Sequence, residues 1–447
     1  MAYVKPSAGR GDKRQNTTNY EHPQETNLLD LHRAMEYNSL GQPVIRTTSG
    51  AAVTANDSFG RLRVSNPFTL FDEFFRYSNE GRAFSNTAVD GTLVHDINAS
   101  SVMANVTTAS GSRVYRETKR VFAYQPGKSL QILKTFVFNP AKTNLRQRIG
   151  YFGTSDGIYF QLENTTLSWV RRYSTSGAVQ EEIINQSSWN VDPLDGTGVS
   201  TKVLDPTKAQ IMWIDIEWLG VGSVRVGFVI DGEFVQCHQF NHANVIDNVY
   251  MKTACLPVRA EIENIGATAS NSSLREICTT VISEGGYQIT GRGRAVGHGL
   301  NGAYDLASPN TFYPVLSIRL KTDRLDSIVV PKNFSIAFTQ AANYEYKIVV
   351  GGVTAGGSWI SAGNETTFEY NRTGTSFNWT NAANVELGFV AASNQTSVSP
   401  ALDPVPFFYQ LERNSFTANA VEFSLLVRGS GTNDDIFASI QVDEFTT

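Results

Sequence analysis

The sequence predicts an all-β protein in which two β-sandwiches follow an extended N-terminal arm. Aromatic residues make up 11% of the 447 residues, charged residues make up 18%, and 36 residues are glycine. Short apolar runs recur along the chain, separated by turn residues at intervals of about 8–12 residues. β-Branched and aromatic side chains favour pleated, half-buried strands. Many short strands in succession are typical of sandwiches and barrels, not of alternating strands and helices.

Residues 1–66 are predicted to form an extended assembly arm. The first 26 residues are polar and carry few large apolar side chains, so they cannot offset the entropy lost on ordering. We expect a neighbouring protein to capture this segment, and the alternative is a solvated basic tail. The predicted partner contacts are the basic residues near the start: Lys5, Arg10, Lys13 and Arg14.

One short helix is predicted within the arm, over residues 27–37. Leu28, Leu31 and Met35 recur at i, i+3 and i+7, and Asn27 precedes them as a candidate N-cap. A helix with a single apolar stripe needs a surface to pack against. These three apolar side chains are therefore also predicted to bind a partner.

The first β-sandwich is predicted over residues 67–285. Its clearest hairpin lies in SVRVGFVIDGEFVQCHQF, where Asp231 and Gly232 supply the positive φ angles of a type I′ turn. The first strand of this hairpin turns one set of alternate residues to a single face: Val224, Val226, Phe228 and Ile230.

A Gly-rich linker is predicted over residues 286–305. It contains Arg292, Arg294 and His298. These side chains either grip an acidic partner surface or a phosphate, or simply stay solvated. The two arginines are the remaining predicted partner contacts.

A C-terminal β domain is predicted over residues 306–447. In this domain Phe407, Phe408 and Tyr409 are consecutive. Neighbouring residues alternate across a strand, so at least one of these rings should point outward. A large apolar side chain on the surface often marks an interface. The outward ring therefore indicates either a homo-oligomer or a surface that a loop or the linker of the same chain covers. These residues do not fix the number of copies, and a trimer or another symmetric assembly is the first expectation.

Charge and hydropathy exclude several classes of protein. The net charge is −5 and the pI about 5.8, which argues against nucleic-acid binding by bulk electrostatics. No apolar run approaches the roughly 20 residues that span a bilayer, and no secretory leader is recognisable. We expect no membrane partner, and assembly in a host cytoplasm. Three cysteines without tight spacing (Cys237, Cys255 and Cys278) favour reduced, buried thiols.

Asp215 and Glu217 in WIDIEW are the strongest candidates for a catalytic pair. Residues i and i+2 of a strand share a face about 7 Å apart, and two carboxylates on one face are the requirement for glycoside hydrolysis. The stretch resembles the Glu-x-Asp-x-x-Glu strand of concanavalin-like β-glucanases. Trp213 occupies the position of that family's first carboxylate. We therefore expect an exposed or interface face of a core strand, no catalytic residue and no enzymatic activity.

Two further clusters raise the question of a metal ion. Cys237, His238 and His242 lie close together, but adjacent strand residues point to opposite faces and no second ligand pair has zinc spacing. Asp192 and Asp195 lie in a Gly-rich loop that suits calcium, although an ordinary Asx-turn explains them better. We predict neither a metal site nor a cofactor.

Two segments resemble virion structural proteins of tailed phages of cyanobacteria and other marine bacteria. They are NDSFGRLRVSNPFTLFDEFFRYS and WIDIEWLGVGSVRVGFVIDGEFVQCHQFNHAN. The first sandwich is also similar to concanavalin-like lectin modules of the jelly-roll type. The resemblance implies a virion component, either a head decoration or fibre subunit or a tail or baseplate adaptor. Its implied partners are other virion proteins of the capsid, the portal-proximal region or the tail.

Two other functions compete with that of a structural protein. A carbohydrate-binding receptor module of a tail fibre would recognise a host surface glycan through exposed Trp or Tyr flanked by Asn and Asp. A depolymerase would cleave that glycan, but the missing first carboxylate argues against it.

Overall fold

The computed structural model describes residues 36–37, 43–44, 66–78, 84–284, 291–392, 396–398, 410–415 and 417–445. Residues 1–65 form a unit of their own. Its described part is one antiparallel pair of short strands, β1 (Glu36–Tyr37) and β2 (Pro43–Val44). The helix predicted over 27–37 is thus wrong at its last two residues. The apolar spacing that predicted the helix ends at Met35. It therefore gives no reason to expect a helix at residues 36 and 37, which pair as a strand. The rest of that helix lies outside the described residues.

Residues 66–447 form one compact unit that contains two β-sandwiches. The first contains strands β3 to β19 and one 3₁₀ turn (Gln186–Ser188) after β13. The strand bounds in chain order are Phe68–Phe74, Phe84–Val89, Gly91–Asp96, Ser101–Val106, Arg113–Thr118, Phe122–Ala123, Ser129–Val137, Leu145–Phe152, Gly157–Glu163, Thr166–Tyr173, Gln180–Asn185, Gln210–Ile216, Val224–Ile230, Glu233–Phe240, Cys255–Leu256, Val258–Asn264 and Ser272–Glu284.

Two antiparallel sheets build this first sandwich. The seven-stranded sheet has the order β13-β12-β11-β10-β18-β7-β4. The eight-stranded sheet has the order β16-β15-β14-β9-β19-β6-β5, with β3 also paired to β19. The predicted hairpin is β15–β16, and Asp231 and Gly232 have φ of 55° and 82°, as a type I′ turn requires. The inward residues of both sheets form one large apolar core.

The second sandwich contains strands β20 to β32. Their bounds in chain order are Arg292–Gly297, Tyr304–Leu306, Tyr313–Leu320, Val329–Phe338, Ala342–Val350, Val353–Ala355, Ile360–Ser361, Phe368–Asn371, Ser376–Asn378, Ala383–Ala392, Thr396–Val398, Phe423–Gly429 and Asp434–Glu444. A five-stranded sheet (β20-β32-β23-β30, with β21 on β32) packs on a six-stranded sheet (β26-β27-β22-β31-β24-β29). A short ribbon pairs β25 with β28.

Part of the predicted linker is regular structure. Residues 292–297 form β20, which pairs with the last strand β32 from Arg292↔Glu444 to Gly297↔Ser439. Glycines in this stretch led to the linker prediction. Gly297 instead allows a close backbone approach, because a Cβ there would lie 2.4 Å from the carbonyl oxygen of Ala438.

A small apolar cluster joins the two sandwiches within the compact unit. Val121, Ala123 and Cys255 of the first sandwich pack on Ile328 and Val330 of the second. Ion pairs flank the cluster, including Arg120–Glu412 and Arg413–Asp326. The all-β architecture with sandwich packing confirms the predicted fold class. In the described part of the chain, no helix has the length and apolarity needed to cross a membrane.

Candidate functional site

The candidate site is the outer face of the eight-stranded sheet, centred on β14. Met212, Ile214 and Ile216 of β14 are fully buried in the core. Strand alternation therefore turns Trp213, Asp215 and the residue that follows the strand, Glu217, to the outer face. The sequence predicted this separation of faces. The register of neighbouring strands shows which residues lie beside them.

A row of mostly apolar side chains crosses this face at Ile211, the second residue of β14. Cross-strand pairing places its members side by side on six strands: Phe234, Val229, Ile211, Thr135, Cys278 and Phe74. The two end rings are the most open, since Phe234 is 56% and Phe74 58% exposed. At a strand spacing of about 4.8 Å, five steps span roughly 24 Å. We call this set the apolar row.

Trp213 lies in the next row, between Gly227 and Leu133. Its indole packs edge-on against Phe234 with ring centroids 5.7 Å apart. Gly227 makes room for the indole, because a Cβ at that position would lie 3.0 Å from the Trp213 Cε2. Trp213 is buried, yet its Nε1 has no hydrogen-bond partner. A buried indole N–H normally finds an acceptor, so this donor lacks the partner that such a group usually has.

Asp215 lies in the third row, between Arg225 and Gln131. Its Oδ2 accepts a hydrogen bond from the Arg225 guanidinium, which is half exposed. Its Oδ1 is buried without a partner. Glu217 follows on the same face and is exposed. The three rows together offer aromatic and apolar area beside an unused donor, an unused acceptor and two charged groups.

Sequence reasoning found β14 but missed the residues around it. Phe74, Thr135, Phe234 and Cys278 come from strands that are far apart in the chain and meet only through sheet register. Cys278 was predicted to be buried, and this is wrong, since it is exposed on the outer face of β19. Cys237 and Cys255 are buried as predicted.

The Cys237, His238 and His242 group does not converge on a point. The backbone N–H of Asn190 donates to His238 Nδ1 at 3.2 Å, and burial lowers the pKa of His238 to about 4. The His242 ring stacks on Tyr250 at 4.0 Å, and its Nδ1 lies 2.6 Å from the Gly222 carbonyl oxygen. Among the described residues, no group of three or more His, Cys, Asp or Glu could hold a metal ion.

The Asp192 loop uses its carboxylates to hold itself together. Asp192 Oδ1 accepts the backbone N–H of Leu194 at 2.9 Å, and its Oδ2 accepts that of Ser200 at 2.7 Å. Asp195 Oδ1 accepts both the backbone N–H and the hydroxyl of Thr197. The contacts to Leu194 and Thr197, two residues on, are Asx-turn contacts, which agree with the simpler of the two sequence interpretations.

The predicted partner contacts fall into two groups. Lys5, Arg10, Lys13, Arg14, Leu28, Leu31 and Met35 lie outside the described residues, as do the aromatic residues 407–409. Arg292 and Arg294 lie on β20. Arg294 Nε is 3.5 Å from the buried Glu444 Oε2. Arg292 lines a cavity of about 440 Å³ together with Lys321 and Arg324.

A polar cleft lies between the two sandwiches. Its volume is about 720 Å³. The charged side chains that line it balance in sign: Glu117, Asp156, Asp323, Asp326, Lys252, Arg259, Arg324 and Arg413. Several of them are already paired, such as Arg259 with Glu117 at 2.9 Å and Arg413 with Asp326 at 2.9 Å. This cleft offers no aromatic surface and no unpaired buried carboxylate comparable to Asp215.

Comparison with known proteins concerns the fold only. Neither a protein-family model nor a curated protein sequence matches the chain. A β-glucanase of Bacillus licheniformis is 9% identical, over 47% of this chain and 96% of that one, with a TM-score of 0.32. The CBM2 module of the evolved Dit of Lactobacillus casei BL23 phage J-1 is 7% identical, over 51% and 100%, with a TM-score of 0.34. The Crh5 transglycosylase in complex with NAG is 10% identical, over 47% and 82%, with a TM-score of 0.33.

These comparisons correct one expectation and leave others as predictions. The set includes glucanases and transglycosylases, so the expectation that the chain is not an enzyme is withdrawn: carbohydrate-active enzymes share this type of sandwich. The similarity to concanavalin-like sandwiches is supported at the level of the fold. The resemblance to marine-phage virion proteins gains no support from sequence comparison. The absence of a catalytic role for Asp215 and Glu217 stays a prediction.

Proposed function

We propose that the chain is a component of a tailed-phage particle that binds a glycan on the outer face of its first sandwich. One observation carries the glycan part: Trp213 Nε1 and Asp215 Oδ1 are buried without partners on the same face as exposed aromatic rings. Sugar rings combine apolar faces with hydroxyl donors and acceptors. They therefore suit a surface on which aromatic area adjoins unused polar groups.

The shape of the face supports a linear glycan. The apolar row and the Trp213 row run parallel across six strands. A chain of sugars that lies across the strands would meet rings at both ends of the apolar row. Its hydroxyls would face Trp213 and Asp215 in the middle.

The particle part of the proposal rests on the arm and on the sequence resemblance. Residues 1–26 are too polar to form a core by themselves. Their capture by capsid, portal-proximal or tail proteins would place the sandwiches on the virion. Localisation to the virion and docking through Lys5, Arg10, Lys13 and Arg14 follow from this proposal.

A glycan array probed with the full chain tests the binding site. We expect binding to a polysaccharide that Phe234→Ala and Asp215→Asn each weaken by about tenfold or more. Leu300→Ala, at an exposed apolar residue of the second sandwich, is the control and should bind as the unaltered protein does. Equal binding by all three variants, or no glycan bound at all, would refute the site.

Hydrolysis is the second candidate function of the same face. Asp215 and Glu217 share it at about 7 Å by strand geometry, a spacing within the range of inverting glycosidases. Release of reducing ends from the bound polysaccharide, abolished by Glu217→Gln while binding persists, would establish hydrolysis. Undegraded polysaccharide after prolonged incubation would leave binding alone.

A further inference from the structure

The edge strand β29 has an unprotected apolar surface. It pairs with β24 along its whole length, from Ala342↔Ala392 to Val350↔Ala383, and has no second neighbour among the strands that the structure describes. On its outward side Phe389 is 74% and Leu387 53% exposed. Trp379 continues the patch, since the Lys347 Nζ lies over its ring at 5.6 Å and Lys347 pairs with Leu387.

Two other edges in the described part of the chain are protected. β13 carries Glu181 and Glu182. The loop before the Asp192 turn covers β16, where the backbone N–H groups of Val191 and Asp192 both donate to the Cys237 carbonyl at 3.1 Å. Charges and covering loops are the usual devices that prevent edge-to-edge association. β29 (ANVELGFVAA) contains no lysine, arginine or proline.

The sequence of β29 is complementary to itself. In an antiparallel pair of two copies with a two-fold axis at Gly388, Leu387 lies opposite Phe389 of the second copy, and Phe389 opposite Leu387. Both contacts fall on the same outward face. Glu386, the only charged residue of the strand, points to the other side, where its Oε1 is 3.3 Å from the Tyr346 hydroxyl. It would lie opposite Val390 of the second copy, so like charges never meet.

We propose that two copies of this chain associate through antiparallel pairing of their β29 strands, which extends the six-stranded sheet into a continuous twelve-stranded one. The exposed backbone N–H and C=O groups of the edge supply the hydrogen bonds, and Leu387, Phe389 and Trp379 supply the apolar contact. Such an isologous contact closes after two copies. It yields a dimer or an even-numbered assembly in place of the trimer expected from the sequence.

Light scattering and sedimentation of the full chain test the association. The unaltered protein should dimerise, and Phe389→Lys should raise the dissociation constant by about tenfold or more, because each added charge lies opposite Leu387 of the second copy and the two charges are diagonal neighbours across the axis. Phe389 is largely exposed, so the variant should keep the thermal stability of the monomer. Val94→Lys is the matched control: it adds a lysine at an exposed apolar position of another edge strand, β5, and should leave the dimer unchanged.

Disulfide trapping tests the register. In a Cys278→Ser background, a mixture of Leu387→Cys and Phe389→Cys chains should cross-link faster than either variant alone, because only the mixture places both thiols directly opposite. Three results would each overturn the proposal: a monomer at all concentrations, a dimer insensitive to Phe389→Lys, or cross-linking without register preference. The first of these would mean that another part of the chain covers the edge.

Discussion

Lys134 and Glu276 form an ion pair inside the first sandwich, with the Lys134 Nζ donating to the Glu276 Oε2 at 2.7 Å. Both side chains are essentially inaccessible to solvent. The Lys134 Nζ also donates to the Thr279 hydroxyl at 3.2 Å, and the Arg116 Nε lies 3.6 Å from the other Glu276 oxygen. Burial lowers the pKa of Lys134, while Glu276 opposes that shift. The Glu276 carboxylate thus lies beside two cations between the sheets.

Removing that carboxylate should strongly destabilise the fold. Glu276→Gln removes the carboxylate that accepts a hydrogen bond from the buried Lys134, and we expect the free energy of unfolding to fall by about 3 kcal/mol or more. Glu263→Gln breaks a surface pair with Arg146 and should cost less than about 1 kcal/mol. Denaturant titrations of both variants measure the difference. Similar losses in the free energy of unfolding for the two variants would contradict the prediction that the buried ion pair contributes more than the surface pair.

Acid should weaken the fold through His238. Burial lowers the pKa of this ring to about 4 from 6.5, so the folded state keeps it neutral where the unfolded chain already binds a proton. The free energy of unfolding should therefore decrease as the pH is lowered from about 6.5 towards 4. Stability measured against pH for the protein and for His238→Gln gives a difference curve. A flat difference curve over this interval would contradict the prediction.

A side chain at Gly232 should destabilise the hairpin turn because of the backbone conformation there and not because of a steric contact. Gly232 has a φ of +82°, and a Cβ there would meet no atom within 4 Å. Gly232→Ala should lower the free energy of unfolding by about 1 kcal/mol. A Cβ on Gly299 also meets nothing, and this residue lacks a positive φ, so Gly299→Ala is the matched control with little expected effect. Thermal melts of the two variants would show whether the positive φ or the available space determines the loss of stability.

A single thiol should react in the native protein. Cys278 is exposed, whereas Cys237 and Cys255 are buried. Burial raises the pKa of all three thiols, so labelling of Cys278 should accelerate as the pH increases towards the alkaline range. A thiol reagent should modify one cysteine per chain before unfolding and three afterwards. Because Cys278 lies in the apolar row, a bound glycan should slow this reaction, whereas labelling that is indifferent to the glycan would place the ligand elsewhere.

The sequence by itself determined the class of fold and the two faces of individual strands. Alternation in QIMWIDIE placed Met212 and Trp213 on opposite faces of the strand, and Asp-Gly fixed the β15–β16 turn, because both depend on neighbours in the chain. The Asx-turn contacts of Asp192 were predictable for the same reason.

Only the tertiary structure decided which faces meet. Pairing between strands distant in the chain put Phe74, Cys278 and Phe234 in one row with Ile211 and turned part of a glycine-rich stretch into β20. It also left β29 without a second neighbour among the strands that the structure describes. Local patterns carry no information on register between remote strands, since any strand with the right alternation can pair with another. The residues that lie beside Trp213 and Asp215 therefore depend on the pairing of the whole sheet. The face of the strand on which the two side chains lie was predictable from the sequence.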